Sequence, residues 1–458
     1  MTRGWFRGLN LGQGRYNIRA LRSPGFRRYA AVQLLSSTSV ASQMVAELWL
    51  VYQITGQALS LGTSTAIRTA PALVLAGVAG TLADRFSRKL LLTVTQGARC
   101  VLAAAFVLVT LGDLPSIGTV YLLVLGFGCI HGIDQPIRRA IVRDVVDRSE
   151  LPSAASLHTA TISTGGIIGP LCAGLLMTTV DPVAAFVFSS ASALAAVGVV
   201  QALRFVTDTG EGSPRVSRAD AARDRATTGA TPGSEAGDDA GSPAGGGTAG
   251  TRRAPLALIW SPGLRPTFMF LLVLSVFAMN LNVLLPVIAA EVLAGGAGTY
   301  SLLHTFLRSG ALVGSLLAAV SATRTTDHRR IFGALFLCGA ALMSVAGGTL
   351  LAVAAVTIVA TGVCVGLFLS MAGASVQTGA DRALQGRQVA VYSFIFIGGR
   401  SLGAPLMGWL ADQLGTRWTT MVLGLGTLLG ALVVHATLRR RQGAPPPADV
   451  AVHPGRTG

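Results

Sequence analysis

AVAAVTIVATGVCVGLFLSMAGASV, residues 352–376, carries no charged side chain from end to end. An α-helix advances about 1.5 Å per residue, so a run of this length clears the ~30 Å hydrocarbon core of a bilayer, for which about 20 residues suffice. Eleven comparable stretches accompany it: 30–54, 59–82, 89–111, 117–139, 153–179 and 182–205 before the chain midpoint, and 265–292, 299–322, 330–350, 388–411 and 417–438 after it. The composition agrees. Of 458 residues, 51% are hydrophobic and only 12% charged, about half of the ~25% charge usual in soluble domains, and the mean hydropathy is +0.60. Lipid is the solvent these side chains fit. The fold class expected is an all-α polytopic membrane protein with twelve transmembrane helices.

The segment 208–254 is rich in Gly, Ala, Ser, Thr, Pro and Asp, with Val216 its sole large aliphatic residue. It cannot build a core to offset the entropy of ordering and reads as a disordered linker. The expected organisation is a basic segment 1–28, a six-helix bundle 29–205, a linker 206–262, a second six-helix bundle 263–438 and a tail 439–458. A weak internal echo, a glycine-rich helix running into a short basic loop at 77–89 and again at 310–330, occupies equivalent places in the two halves. Two pseudo-symmetric bundles related by an axis along the membrane normal suggest a cavity between them, reached alternately from each side.

The net charge of +16 comes from 36 Lys and Arg against 20 Asp and Glu, and Lys89 is the only lysine. The cations fall in alternate loops: Arg85, Arg88 and Lys89, then Arg138, Arg139, Arg143 and Arg148, then Arg324, Arg329 and Arg330, then Arg382 and Arg387, with Arg417 alone in the intervening loops. This bias predicts that both termini and the linker are cytoplasmic in a multi-pass protein of the cell membrane. The basic amino-terminal segment is expected to lie against anionic lipid. Because the arginines track the loops, nucleic acid is not an expected partner.

Other chemistry finds little support. Cys100, Cys129, Cys172, Cys338 and Cys364 sit inside apolar runs without ligand spacing, so neither a metal site nor a disulfide framework is expected. The sole lysine follows Arg88 rather than a P-loop glycine, and Gly424, Gly426 and Gly430 lie in a continuous apolar run that reads as helix packing. No cofactor and no covalent catalysis are expected.

Four blocks carry more specific information. The first is Gly80-Thr-Leu-Ala-Asp84-Arg85-Phe-Ser87-Arg88-Lys89, a carboxylate and three cations at a helix boundary. The second is Asp134-Gln-Pro136-Ile-Arg138-Arg-Ala140, in which Asp134 and Arg138 are four apart and able to pair on one helix face. The third is Gly165-Gly166-Ile-Ile-Gly169-Pro170-Leu-Cys-Ala173-Gly174, small residues that let helices approach and a proline that permits a bend. The fourth runs from Gln377 through Arg387, Tyr392-Ser-Phe394 and Gly399-Arg400-Ser-Leu402-Gly403-Ala-Pro405-Leu-Met-Gly408.

Together these blocks resemble the major facilitator superfamily, and within it the drug and siderophore exporters similar to the enterobactin and macrolide exporters. The resemblance spans nearly the whole chain apart from the ends and the linker. It departs from the family pattern at Ser87 and Ala173, where glycine is usual, and after Gln377, where a proline is missing. It implies a monomeric secondary transporter that exchanges an amphipathic small molecule for protons. It also implies that Gly80, Asp84, Arg85, Arg88 and Lys89 form a latch with Asp134 and Arg138 and the start of the eleventh helix, closing the cytoplasmic face. A purely topological role for these charges is the alternative. The Gly165, Gly169, Pro170, Gly174 motif resembles that of antiporters and favours export over import of a nutrient; ordinary helix packing explains it equally.

Ionisable groups inside a bilayer are costly, by contested estimates of roughly 2.5 to 17 kcal/mol, and need a partner or a wet cavity. Glu47, Arg68, Arg99, Arg308 and Arg400 fall within predicted spans, with His304 one turn before Arg308 on the same face. Glu47 and Arg68, joined by a short hairpin, read either as a structural ion pair or as a proton-coupling site, with Asp134 the second choice for coupling. Arg308 stands where relatives often have glycine. It reads as a contact for an anionic or phenolic substrate, or as an arginine snorkelling to the interface.

Overall fold

The computed structural model describes residues 23–112, 116–145, 150–202, 264–320, 328–348, 350–378 and 385–442. The linker 206–262, residues 1–22 of the basic amino-terminal segment and residues 443–458 of the tail lie outside the described residues.

Twelve crossing segments follow one another. Span 1 is Pro24–Thr55. Its start combines a Ser23 hydroxyl that accepts the Phe26 N–H with Pro24 at a position where no N–H is needed, and it ends on Gly56 in the left-handed region at φ 61°. These signals carry the helix into the segment expected to precede it. Span 2 is broken into Ala58–Thr69 and Pro71–Arg85, since Pro71 cannot donate back to residue 67. Spans 3 to 6 are Arg88–Leu111, Ile117–Val145, Leu151–Thr179 and Pro182–Gln201.

Span 7 is a composite: Arg265–Val276, a 3₁₀ turn Ala278–Asn280, Leu281–Val287 and a π-helical turn Ile288–Val292. Pro286 lies in it, and the Asn280 amide donates to the carbonyls of Ser275 and Val276 at 3.2 and 2.7 Å, satisfying backbone that the break sets free. Spans 8 to 12 are Ala297–Val320, His328–Ala346, Leu351–Thr378, Gln385–Leu414 and Thr416–Gln442.

Ten of these segments have the length and hydropathy of a membrane crossing, among the described residues. The exceptions are informative. Span 1 dilutes its apolar content with Gln33, Ser36, Thr38, Ser39, Ser42, Gln43 and Glu47, all buried against neighbouring helices. Span 2 has the apolar content, but its break divides it into two short helices. Large apolar side chains such as Val74, Leu108, Leu122, Leu402 and Trp418 point outward, as a lipid-facing surface requires.

Within the first half, span 1 packs against spans 5 and 6, and span 3 against span 6; in the second, span 8 packs against span 10 and span 9 against span 12. The contact of spans 8 and 10 is a backbone contact, because a Cβ on Gly314 or Gly366 would strike the carbonyl of Val363 or Ala311. The halves meet along two seams, span 2 on span 11 and span 5 on span 8. An even number of crossings brings Pro24 and Gln442 to one end of the bundle. The cavity described below lies at the middle of the bundle, lined by span 1 from Gln33 to Leu48 and by residues near the middles of spans 3, 8 and 11.

Candidate functional site

Between the halves lies a cavity of about 260 Å³. Seven of the charged residues singled out above border it: Glu47, Arg68, Arg99, Asp134 and Arg138 from the first half, Arg308 and Arg400 from the second. His131 and Gln135 also face it. Residues from spans 1, 2, 3, 4, 8 and 11, scattered along the sequence, thus share one polar space inside an apolar bundle.

The charges of the first half are closed into two networks. Glu47 accepts the Ser64 hydroxyl at 3.0 Å and forms an ion pair with Arg68 across the short hairpin. The Arg68 guanidinium lies 5.4 Å from the centroid of the Phe127 ring, a cation–π contact. Asp134 accepts from Thr95 and from Arg99, each at 2.9 Å, and from Arg138 one turn along its own helix. Arg138 also donates to Gln33 and Ser36, each at 2.8 Å, and Arg99 reaches the same Ser36 at 2.9 Å. One carboxylate between two guanidiniums holds spans 1, 3 and 4 together.

Arg308 and Arg400 differ. Among the described residues neither has a hydrogen-bond or ion-pair partner, and the Nε of Arg400 is buried without one. His304 is fully buried one turn from Arg308 and does not border the cavity. Both of its ring nitrogens and the hydroxyl of Tyr300, a further turn back, lack hydrogen-bond partners among the described residues.

At the end away from the chain termini the halves are fastened. The Trp49 ring stacks on Tyr300 with centroids 6.0 Å apart, and the Ser301 hydroxyl donates to the carbonyl of Pro170. Glu291 accepts from Tyr52 at 3.4 Å and from Thr416 at 3.0 Å, joining spans 1, 7 and 12. Asp412, at the close of span 11, accepts the backbone N–H groups of Ala58 and Leu59 at 2.7 and 2.9 Å, capping the first helix of span 2 from the other half of the molecule.

The antiporter-like motif lies at two contacts. Cβ atoms on Gly165 and Gly169 would strike Ser37, Thr38 and Ala41 of span 1, and one on Gly174 would strike Ser301 across the seam. Pro170 sits inside the span 5 helix. Of the latch residues, Arg85 is exposed at the end of span 2 and Lys89 donates to the carbonyl of Gln201 at 3.0 Å. The side chains of Asp84 and Arg88, and the surroundings of Gly80, lie outside what is described. Arg138 has its guanidinium nitrogens engaged by Asp134, Gln33 and Ser36.

Sequence reasoning set Glu291 aside and missed Asp412. Glu291 sits at a helix end, where a carboxylate is commonplace. A signal for Asp412 is present, since Gly408-Trp-Leu-Ala-Asp412-Gln-Leu-Gly415 repeats the pattern of Gly80-Thr-Leu-Ala-Asp84-Arg-Phe-Ser87.

Two helical halves around a charged central cavity are the architecture found in membrane transporters of the alternating-access type. The profile of the Major Facilitator Superfamily matches residues 29–396 and 268–455, and the chain belongs to that family. The Staphyloferrin A transporter of Staphylococcus aureus is 28% identical over 131 residues, 28% of this chain and 33% of that protein. The Enterobactin exporter EntS of Shigella boydii is 27% identical over 164 residues, 36% of this chain and 39% of the exporter. The chain therefore matches between a third and two fifths of the length of these relatives. Among solved structures, the nucleoside transporter NupG superposes with a TM-score of 0.65 at 10% identity, over 91% of this chain and 99% of that one. A bacterial homolog of the human lysosomal transporter Spinster gives 0.65 at 13% identity, over 91% and 96%.

Removing Asp134 leaves two buried guanidiniums facing each other. Asp134→Asn is expected to destabilise the folded protein by about 3–5 kcal/mol, as breaking a buried pair does. Thermal unfolding in detergent checks this; an unchanged midpoint would mean that the network contributes nothing to the bundle.

Proposed function

We propose that this major facilitator transporter exports an amphipathic small molecule, such as a drug, antibiotic, siderophore or other metabolite, in exchange for protons. The observation that carries the reading is the cavity between the halves, bordered by a buried carboxylate whose paired cation belongs to the same half. Ionised, Glu47 is held by Arg68 and Ser64; protonated, it loses the charge that retains Arg68, so proton uptake loosens the hairpin of spans 1 and 2. Asp134, between Arg99 and Arg138, is the second carboxylate available for this role.

The arginine-rich end is assigned to the cytoplasm by the charge bias of the loops. With the opposite end fastened, the cavity then faces inward, the state in which an exporter loads substrate. Export is favoured by the Gly165 to Gly174 motif and by the similarity to an enterobactin exporter. A monomer in the cell membrane completes the reading. Asp84, Arg85, Arg88 and Lys89 are assigned to closing the cytoplasmic face when the opposite end opens.

The test is accumulation of labelled hydrophobic cations, phenolic siderophores and macrolides in cells with and without the protein, repeated after the proton gradient is collapsed. Lower accumulation that reverts on collapse is expected for one class, and Glu47→Gln is expected to abolish gradient-driven export of that class. Export that persists in Glu47→Gln at the parental rate would exclude Glu47 as the coupling group.

A further inference from the structure

We propose that Arg308 and Arg400 form a recognition site for an oxyanionic group of the transported molecule, a carboxylate or phenolate. The inference rests on the reading of the cavity as a substrate path. Five arginines border it against two carboxylates, Glu47 and Asp134, and both carboxylates are already engaged by arginines of the first half. The arginines exceed the carboxylates by three, and Arg308 and Arg400, with no ion-pair partner among the described residues, carry two of those three charges. Arg68 and Arg308, both cations, border the same cavity as Arg400. Arg308 is exposed and Arg400 half-buried where they meet the cavity; two unpaired guanidiniums in one space repel each other, and such charge persists in a bilayer only with water or a counter-charge.

Guanidinium forks match planar oxyanions through parallel hydrogen bonds. One arginine from span 8 and one from span 11 face the cavity, so an anion between them would draw two helices of the second half together. Back along span 8 from Arg308, His304 and Tyr300 carry buried polar atoms with no partner among the described residues. At the cavity itself the arginines of the first half are ion-paired and those of the second half are not.

The probe is 1-naphthoate, with its neutral amide, 1-naphthamide, as a control of the same shape, added to the purified full-length protein in detergent without a gradient. Naphthoate is expected to raise the unfolding temperature in a saturable manner and the amide to leave it unchanged. Arg308→Met and Arg400→Met are each expected to weaken naphthoate binding by about tenfold or more, the loss of one charge-assisted bidentate contact. Without probe, both variants are expected to unfold at or above the parental temperature, since each removes an unpaired charge. Equal stabilisation by the amide, no stabilisation by naphthoate, or unweakened binding in both variants would overturn the proposal. Export of neutral compounds alone would also overturn it while leaving proton-driven export intact; naphthoate binding by a protein that exports nothing would have the reverse meaning.

A separate observation carries a second inference. The geometry points to Asp412 as a latch for the end opposite the chain termini, the inverted counterpart of the Gly80 to Ser87 block. Spans 2 and 11 lie along each other, and each closes on Gly-x-Leu-Ala-Asp at opposite ends of the bundle. Asp412 caps the start of span 2 without help from a side chain of Gln57, the residue at its own N-cap position. When the end opens, those N–H groups lose their acceptor, so the cap is an interaction of the closed state only. Spin labels at Val180→Cys and Gly296→Cys, in a background free of native cysteine, report the other seam. Asp412→Asn is expected to shift their distance distribution toward the longer, open population and Asp412→Glu to restore it. A distribution in Asp412→Asn identical to the parent would overturn the latch.

Discussion

Charge inside a bilayer is the constraint on which the rest of this molecule depends. A guanidinium or carboxylate facing lipid costs several kcal/mol at the least, so the bundle can hold charged residues only by giving them one another or a polar space. Both solutions are present. Asp134 binds Arg99 and Arg138, Glu47 binds Arg68, and all five border the cavity that Arg308 and Arg400 also face. The polar face of span 1 follows from the same constraint, because Gln33 and Ser36 accept the remaining guanidinium N–H groups of Arg138. A first helix made uniformly apolar would leave that arginine with its carboxylate alone.

The two halves solve the problem differently, and the difference has functional meaning. In the first half each charged group named at the cavity has an ion-pair partner nearby, and small residues bring helices into contact, as where Gly165 and Gly169 meet span 1. In the second half span 7 is interrupted by a 3₁₀ turn and a π turn, and its freed carbonyls are met by Asn280. Irregular backbone at membrane depth persists only where protein or a cavity covers it. Under the proposed export, the half whose cavity charges are paired holds its shape while the half with unpaired cations and a composite helix responds to the cargo.

Much of this was legible in the sequence. Runs such as 352–376 fix the number of spans, because an uncharged stretch of that length has no other stable home. The hairpin between Glu47 and Arg68 is short enough to put the pair side by side, and Asp134 and Arg138 share a helix face. The partnership of Arg99 with Asp134 was not legible, since nothing in the spacing of spans 3 and 4 says which faces meet. The latch expected of Arg138 came from resemblance, and the partners it has in the structure lie in its own half. Asp412 acts on residues more than three hundred positions earlier, a distance over which local pattern is silent. Its only trace is the repeated Gly-x-Leu-Ala-Asp, which becomes meaningful once spans 2 and 11 are seen to run side by side.

The central claim is that these charges share a water-accessible cavity open toward the arginine-rich side and sealed from the other. Gly166 borders that cavity and has free space where a side chain would begin. The most direct measurement is modification of Gly166→Cys, in a background free of native cysteine, by a membrane-impermeant maleimide applied separately to each face of oriented membrane vesicles. Rapid labelling from the cytoplasmic face and slow labelling from the opposite face is the predicted result. Labelling from neither face, or faster labelling from the opposite one, would contradict the account.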